Sequence, residues 1–182
     1  MTTRTLRLVA QAPDWPVRFA VESVSLAAAM ALERPRIEHV GSTAVTGLPG
    51  KPVLDVAIAV ETEEEADGCV RPFGLLGYEY RGPHGEDPRR RYYVRDTDGR
   101  RAVQIHLYVM PATAWDEMLA FRDVLRGDPV LAAAYAAEKW RVAEAVEWDK
   151  RAYSEAKGRF VQQVLAALRA SGDLATQDTI PE

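Results

Sequence analysis

One short segment holds most of the residues here that could act on a charged ligand: Gly41-Ser42-Thr43, Lys51 and Asp55. A strand candidate, Ile37 to Val40, runs straight into Gly41. Glycine lacks a Cβ, so a ligand can approach its backbone closely. Ser42 and Thr43 offer hydroxyls and amides at the start of a short turn, which suits an anion. Lys51 adds a mobile positive charge. Asp55 falls on the next strand candidate, and a carboxylate beside a phosphate-binding turn is a usual way of holding Mg²⁺ against a nucleotide. The bland alternative is a common Gly-Ser turn with an aspartate that caps a neighbouring backbone group.

The elements that must position these residues read as follows. A helix begins near Pro13-Asp14-Trp15-Pro16 and runs to about Leu32, with Pro tolerated in its first turn. Residues 52–60 alternate: Leu54, Val56, Ile58 and Val60 face one way, and Val53, Asp55, Ala57 and Ala59 the other. A helix with an acidic first turn follows over 61–76, then a short strand over 77–81 and a flexible loop over 82–88. Strands over 89–95 and 101–110 are joined by Thr97-Asp98-Gly99, a hairpin signal. Val103, Ile105, Leu107 and Val109 share one face of the second; Gln104, His106 and Tyr108 share the other. From Pro111 onward the pattern is helical, with a break at Gly127-Asp128-Pro129 and a frayed polar tail over 171–182. The expectation is one domain over 1–182, a core at 12–110 and a helical extension at 111–170. The fold class is α/β (α+β), a mixed sheet flanked by helices.

Asp55 and His106 are expected to converge on one sheet face, as metal ligands and as the catalytic pair, with His106 as ligand or general base. Lys51 and the arginines of Arg89 to Arg91 would neutralise phosphate charge; strand alternation puts Arg89 and Arg91 on one face. Tyr153 and Lys157 lie one helical turn apart and share a face. With Arg122 and Lys139 they would line the cleft from the helical side, or else pair with acids such as Glu138 or Glu155. His39 would steady the turn or touch the ligand. His84 reads as a solvated loop residue and Cys69 as packing.

The run His39-Val40-Gly41-Ser42-Thr43, then Gly47-Leu48, Lys51-Pro52 and Asp55, resembles the signature of the GrpB (UPF0157) family. It also looks like the wider nucleotidyltransferase pattern of Gly-Ser, a spacer and an acidic strand. Trp15, Phe19 and Glu22, Gln104 and His106, Phe121-Arg122-Asp123 with Leu125-Arg126, Tyr135, Lys139, Tyr153 and Lys157 extend the likeness over about residues 12–168. The resemblance implies a nucleotidyltransferase-like fold. It implies a site for a nucleotide or phosphorylated small molecule at Gly41, Ser42, Thr43, Lys51, Arg89, Arg91, Gln104 and Lys157, with Mg²⁺ at Asp55 and His106. The chain departs from the wider pattern at Ala57, where a second acid is usual, and at Gln104 and His106, where a later strand normally supplies a third. Three functions stand open: Mg²⁺-dependent nucleotidyl or phosphoryl transfer, a non-catalytic binding module, and a purely structural or protein-interaction domain.

Composition excludes other classes. The 182 residues carry a formal net charge of −4 and a single cysteine. An acidic chain without clustered Lys and Arg is not expected to bind nucleic acid. One cysteine makes no intrachain disulfide, and no apolar run is long enough to span a bilayer. The expectation is a soluble cytoplasmic protein, with a homodimer through the later helices as a possibility. Walker, Rossmann, nucleophile-elbow and zinc motifs are missing.

Overall fold

The computed structural model describes residues 6–10, 12–32, 35–83 and 87–174. Helix α1, Trp15–Met30, starts with Pro at its first turn and stops where Ala31 turns left-handed (φ 52°). Strand β1, Arg36–Val40, feeds a single 3₁₀ turn, Ser42–Ala44, and strand β2 is Leu54–Val60. Two short helices follow, α2 at Glu63–Gly68 and α3 at Val70–Leu75. The single helix expected over 61–76 is broken at Cys69. Pro72 has no N–H to offer the carbonyl four residues back, which weakens the ladder there.

Strand β3 is Glu79–Pro83, β4 is Arg91–Thr97 and β5 is Arg100–Val109. Gly82 and Pro83, expected in the loop, belong to β3, and His84 lies outside the described residues. Asp98 and Gly99 both take positive φ (51° and 69°), the backbone that a tight hairpin between right-twisted strands demands. The sheet order is β1-β2-β5-β4-β3, with β2 and β5 parallel and the other pairs antiparallel.

Period-2 alternation makes the two faces of this sheet different. Leu54, Val56, Ile58, Val60, Val103, Ile105, Leu107 and Val109 bury one face under Trp15, Leu26 and Met30 of α1 and Phe73 of α3. On the other face small residues leave room: Ala57 and Ala59 pack with Tyr108 and Trp115. Ala57, the position without the second acid, is therefore fully buried under an apolar cluster.

The helical extension supplies that cover. Helix α4 is Thr113–Gly127, α5 is Pro129–Ala145 and α6 is Lys150–Ser171. Asp128 caps α5 by accepting from the amides of Val130 and Leu131, and Asp149 caps α6 through Ala152. Gly172 (φ 82°) ends α6 in a left-handed cap. Most of the tail expected over 171–182 lies outside the described residues. Among the described residues no helix is long and apolar enough to cross a membrane.

Candidate functional site

A cleft of about 370 Å³ opens between the second sheet face and α4 and α6. The β1 turn forms one edge of it. Gly41 adopts φ 69° and ψ −166°, a backbone that only glycine takes comfortably. A Cβ there would lie 2.5 Å from Asp55 Oδ2, so the missing side chain lets the Asp55 carboxylate close against the turn. Ser42 lines the cleft, whereas Thr43 is buried and uses its Oγ1 on His39 Nε2 at 2.9 Å. His39 also stacks on Phe19, and burial together with nearby Arg126 pushes its pKa down to about 4. It steadies the turn from behind.

Register brings Asp55 beside Gln104 and places Ala57 beside His106. Gln104 donates its amide to Asp55 Oδ1 and accepts from the Tyr92 hydroxyl at 2.8 Å. The His106 ring lies 5.3 Å from that of Tyr92, and its Nε2 is 3.9 Å from Asp55 Oδ1. Its Nδ1 meets Arg90 at 2.6 Å. A guanidinium only donates, so Nδ1 must accept and the imidazole proton resides on Nε2, towards Asp55. Burial lowers the His106 pKa and Arg90 adds to that, while Asp55 opposes it. In this tautomer the Nδ1 lone pair is taken up by Arg90 and Nε2 carries the proton, an arrangement that suits His106 as a support for Arg90.

The arginine tripeptide is also read differently by the structure. β4 begins at Arg91, which pairs across to Leu107 and so faces the first, apolar side of the sheet. There it bonds to Asp67, Glu63 and the carbonyl of Pro88. Arg89 bonds to Asp87 and to the carbonyl of Pro111, and does not line the cleft. Arg90 does line it. Its guanidinium lies 5.0 Å above the Tyr108 ring, and it has no carboxylate partner among the described residues. Lys51 lies just outside, 5.3 Å from the Tyr153 ring, with its pKa pushed down to about 8 by burial and by Lys157 and Lys150.

Of the residues expected from sequence, Gly41, Ser42, Asp55, Gln104, His106 and Lys157 meet at the cleft; Thr43, Lys51, Arg89 and Arg91 do not. Arg90, Glu117 and Phe121 join it, together with Arg122, which had been placed on the helical side. Three cations of the helical extension hold the turn through its carbonyls. Arg122 donates to His39 O at 3.0 Å, Arg126 to Ala44 O at 2.9 Å, and Lys139 to Pro49 O. Glu138 and Glu155 pair with Arg141 and Arg151 instead of Lys139 or Lys157.

This donor set suits Mg²⁺ poorly. Mg²⁺ seeks near-octahedral oxygen, with carboxylates among its ligands. Among the described residues Asp55 is the only carboxylate on this sheet face of the cleft, one of its oxygens is taken by Gln104, and the cation Arg90 stands nearby. Glu117, across the cleft, pairs with Arg169. No group of three or more His, Cys, Asp or Glu gathers among the described residues.

The family model described as GrpB protein matches residues 5–167. The chain belongs to the GrpB family. A UPF0157 protein of Pseudomonas aeruginosa is 34% identical over 161 residues, which are 87% of this chain and 66% of that one. A dephospho-CoA kinase of Mycolicibacterium paratuberculosis is 30% identical over 84% of this GrpB chain, and the match spans 43% of the kinase. The crystal structure of GrpB from Enterococcus faecalis superposes with a TM-score of 0.77 at 29% identity, covering 90% of this chain and 99% of that one. Cid1 poly(U) polymerase superposes at 0.54 with 11% identity, over 81% of this chain and 49% of that one. The GrpB fold here is thus nucleotidyltransferase-like. The GrpB chain spans just under two thirds of its P. aeruginosa relative.

Proposed function

We propose that the cleft binds a small phosphorylated molecule, a nucleotide or a compound of that kind, and that it does so as a binding site that needs no metal. One observation carries this: Arg90 is fixed in the cleft by His106, with no carboxylate to neutralise it among the described residues. A guanidinium without an acid partner is a receptor for a planar or tetrahedral oxyanion. Lys157 adds charge from α6, and the Ser42 hydroxyl, which also lines the cleft, supplies a donor. Phe121, Leu125 and Tyr135 make an apolar wall where a base or similar ring would lose its water. The name of the mycobacterial relative, dephospho-CoA kinase, also supports a nucleotide.

Mg²⁺-dependent nucleotidyl or phosphoryl transfer is the second reading. Asp55 closing against the Gly41 turn favours it, and Mg²⁺ would then enter with the ligand's phosphates. A thermal-shift screen of nucleotides, dephospho-CoA and sugar phosphates, with and without Mg²⁺, separates the two, because ligands of the native state raise its melting temperature by mass action. A shift of equal size in EDTA supports the binding site. A shift that needs Mg²⁺, or turnover of the ligand, supports transfer, and no shift with any compound refutes both.

A further inference from the structure

Lys139 is 2% exposed, yet the cleft chemistry has no other use for it. It reaches from α5 behind the turn, donating to Ser42 Oγ and to Pro49 O. Its Nζ lies 5.2 Å from the Tyr135 ring on its own helix. Asp55 faces it from β2, Lys157 from α6 and Lys51 from the segment before β2. Gly50 leaves it space, since a Cβ there would come 2.9 Å from Ser42 Cβ and 3.9 Å from Lys139 Nζ.

An ammonium has donors and no lone pair. While Lys139 is charged, Ser42 Oγ must accept from it, and the serine's own proton is left for an acceptor in the cleft. A neutral amine has a lone pair and takes the serine's hydrogen bond instead. Loss of one proton therefore withdraws a positive charge and a donor from the ligand together.

We propose that Lys139 is a positioning residue that orients the Ser42 hydroxyl, so that anion capture in the cleft depends on the protonation of this amine. Burial and the neighbouring Lys157 and Lys51 push its pKa down to about 7, with Asp55 opposing them, so the change falls within the physiological range. Binding of an anion favours the charged form, and affinity falls as pH rises past that value.

The inference rests on the cleft being an anion site, and the test keeps the two apart. The probe is sulfate, a dianion throughout the range, titrated calorimetrically from pH 6 to pH 8.5. Wild-type affinity should weaken by about tenfold, with its step near neutrality, as one depressed lysine would give. Lys139→Arg, always charged, should bind without that step. Ser42→Ala, which loses the donor but keeps the Lys139 charge at pH 6, should bind there more weakly than wild type and show a smaller step. Lys51→Arg should retain the step near pH 7, since Lys51 titrates higher. A step that survives in Lys139→Arg, or a flat wild-type profile, overturns the role of Lys139. No sulfate binding at any pH overturns the anion site itself.

Discussion

Arg90 donates to His106 Nδ1 at 2.6 Å, and this contact holds a cation and a neutral imidazole in one rigid pair. In the proposed site the imidazole is the support and the guanidinium the receptor, the reverse of the roles that residue type suggests. By NMR, His106 in the native protein should remain neutral well below the ordinary histidine range. Arg90→Met should raise its pKa, because it removes a nearby positive charge. A native His106 that titrates at the ordinary value would contradict the pairing.

His39 makes stability depend on pH. Its folded pKa of about 4 lies below the ordinary 6.5, so the unfolded chain binds the proton first. Stability is complete above about pH 6.5 and falls as pH drops towards 4, by on the order of 3 kcal/mol at most for a shift of this size. Denaturant melts at pH 6.5 and pH 5 should show the loss, and His39→Gln should shrink the difference. An unchanged slope in the variant would show that His39 does not carry it.

Gly41→Ala should be severe. The new Cβ would meet Asp55 Oδ2 at 2.5 Å, and φ 69° with ψ −166° strains any other residue. A loss of roughly 2–4 kcal/mol in chemical denaturation is expected from backbone strain and the displaced carboxylate. A loss below 0.5 kcal/mol would mean that the turn relaxes freely.

Arg91 and Arg90, adjacent in sequence, should fail differently. Arg91→Met leaves Glu63 and Asp67 more than half exposed and able to rehydrate, so a stability cost of about 1–2 kcal/mol with ligand binding retained is expected. Arg90→Met should spare stability and weaken binding. Melting and ligand titration of both variants check this, and the reverse pattern would exchange their roles.

The sheet face that carries the site was legible because Leu54 to Val60 and Val103 to Val109 alternate strictly, and period 2 fixes which side Asp55, Gln104 and His106 share. The Arg90 position was not. Assigning Arg89 and Arg91 to the ligand assumed a parity that only the pairing of Arg91 with Leu107 decides. The role of His106 was hidden as well, since its tautomer follows from a neighbour sixteen residues away. The helical segments were readable from their caps at Asp128 and Asp149. How Arg122, Arg126 and Lys139 hold the turn depends on helix packing, which periodicity does not encode.

The central claim is that cations, and not a bound metal, hold the ligand. Its most direct test is calorimetric titration, in EDTA, of whichever phosphorylated compound gives the largest thermal shift, against wild type, Asp55→Asn and Arg90→Met. The account predicts unchanged or tighter binding in Asp55→Asn, which removes a repelling carboxylate, and at least about tenfold weaker binding in Arg90→Met. Binding that vanishes in EDTA or in Asp55→Asn, while Arg90→Met stays as tight as wild type, would contradict it.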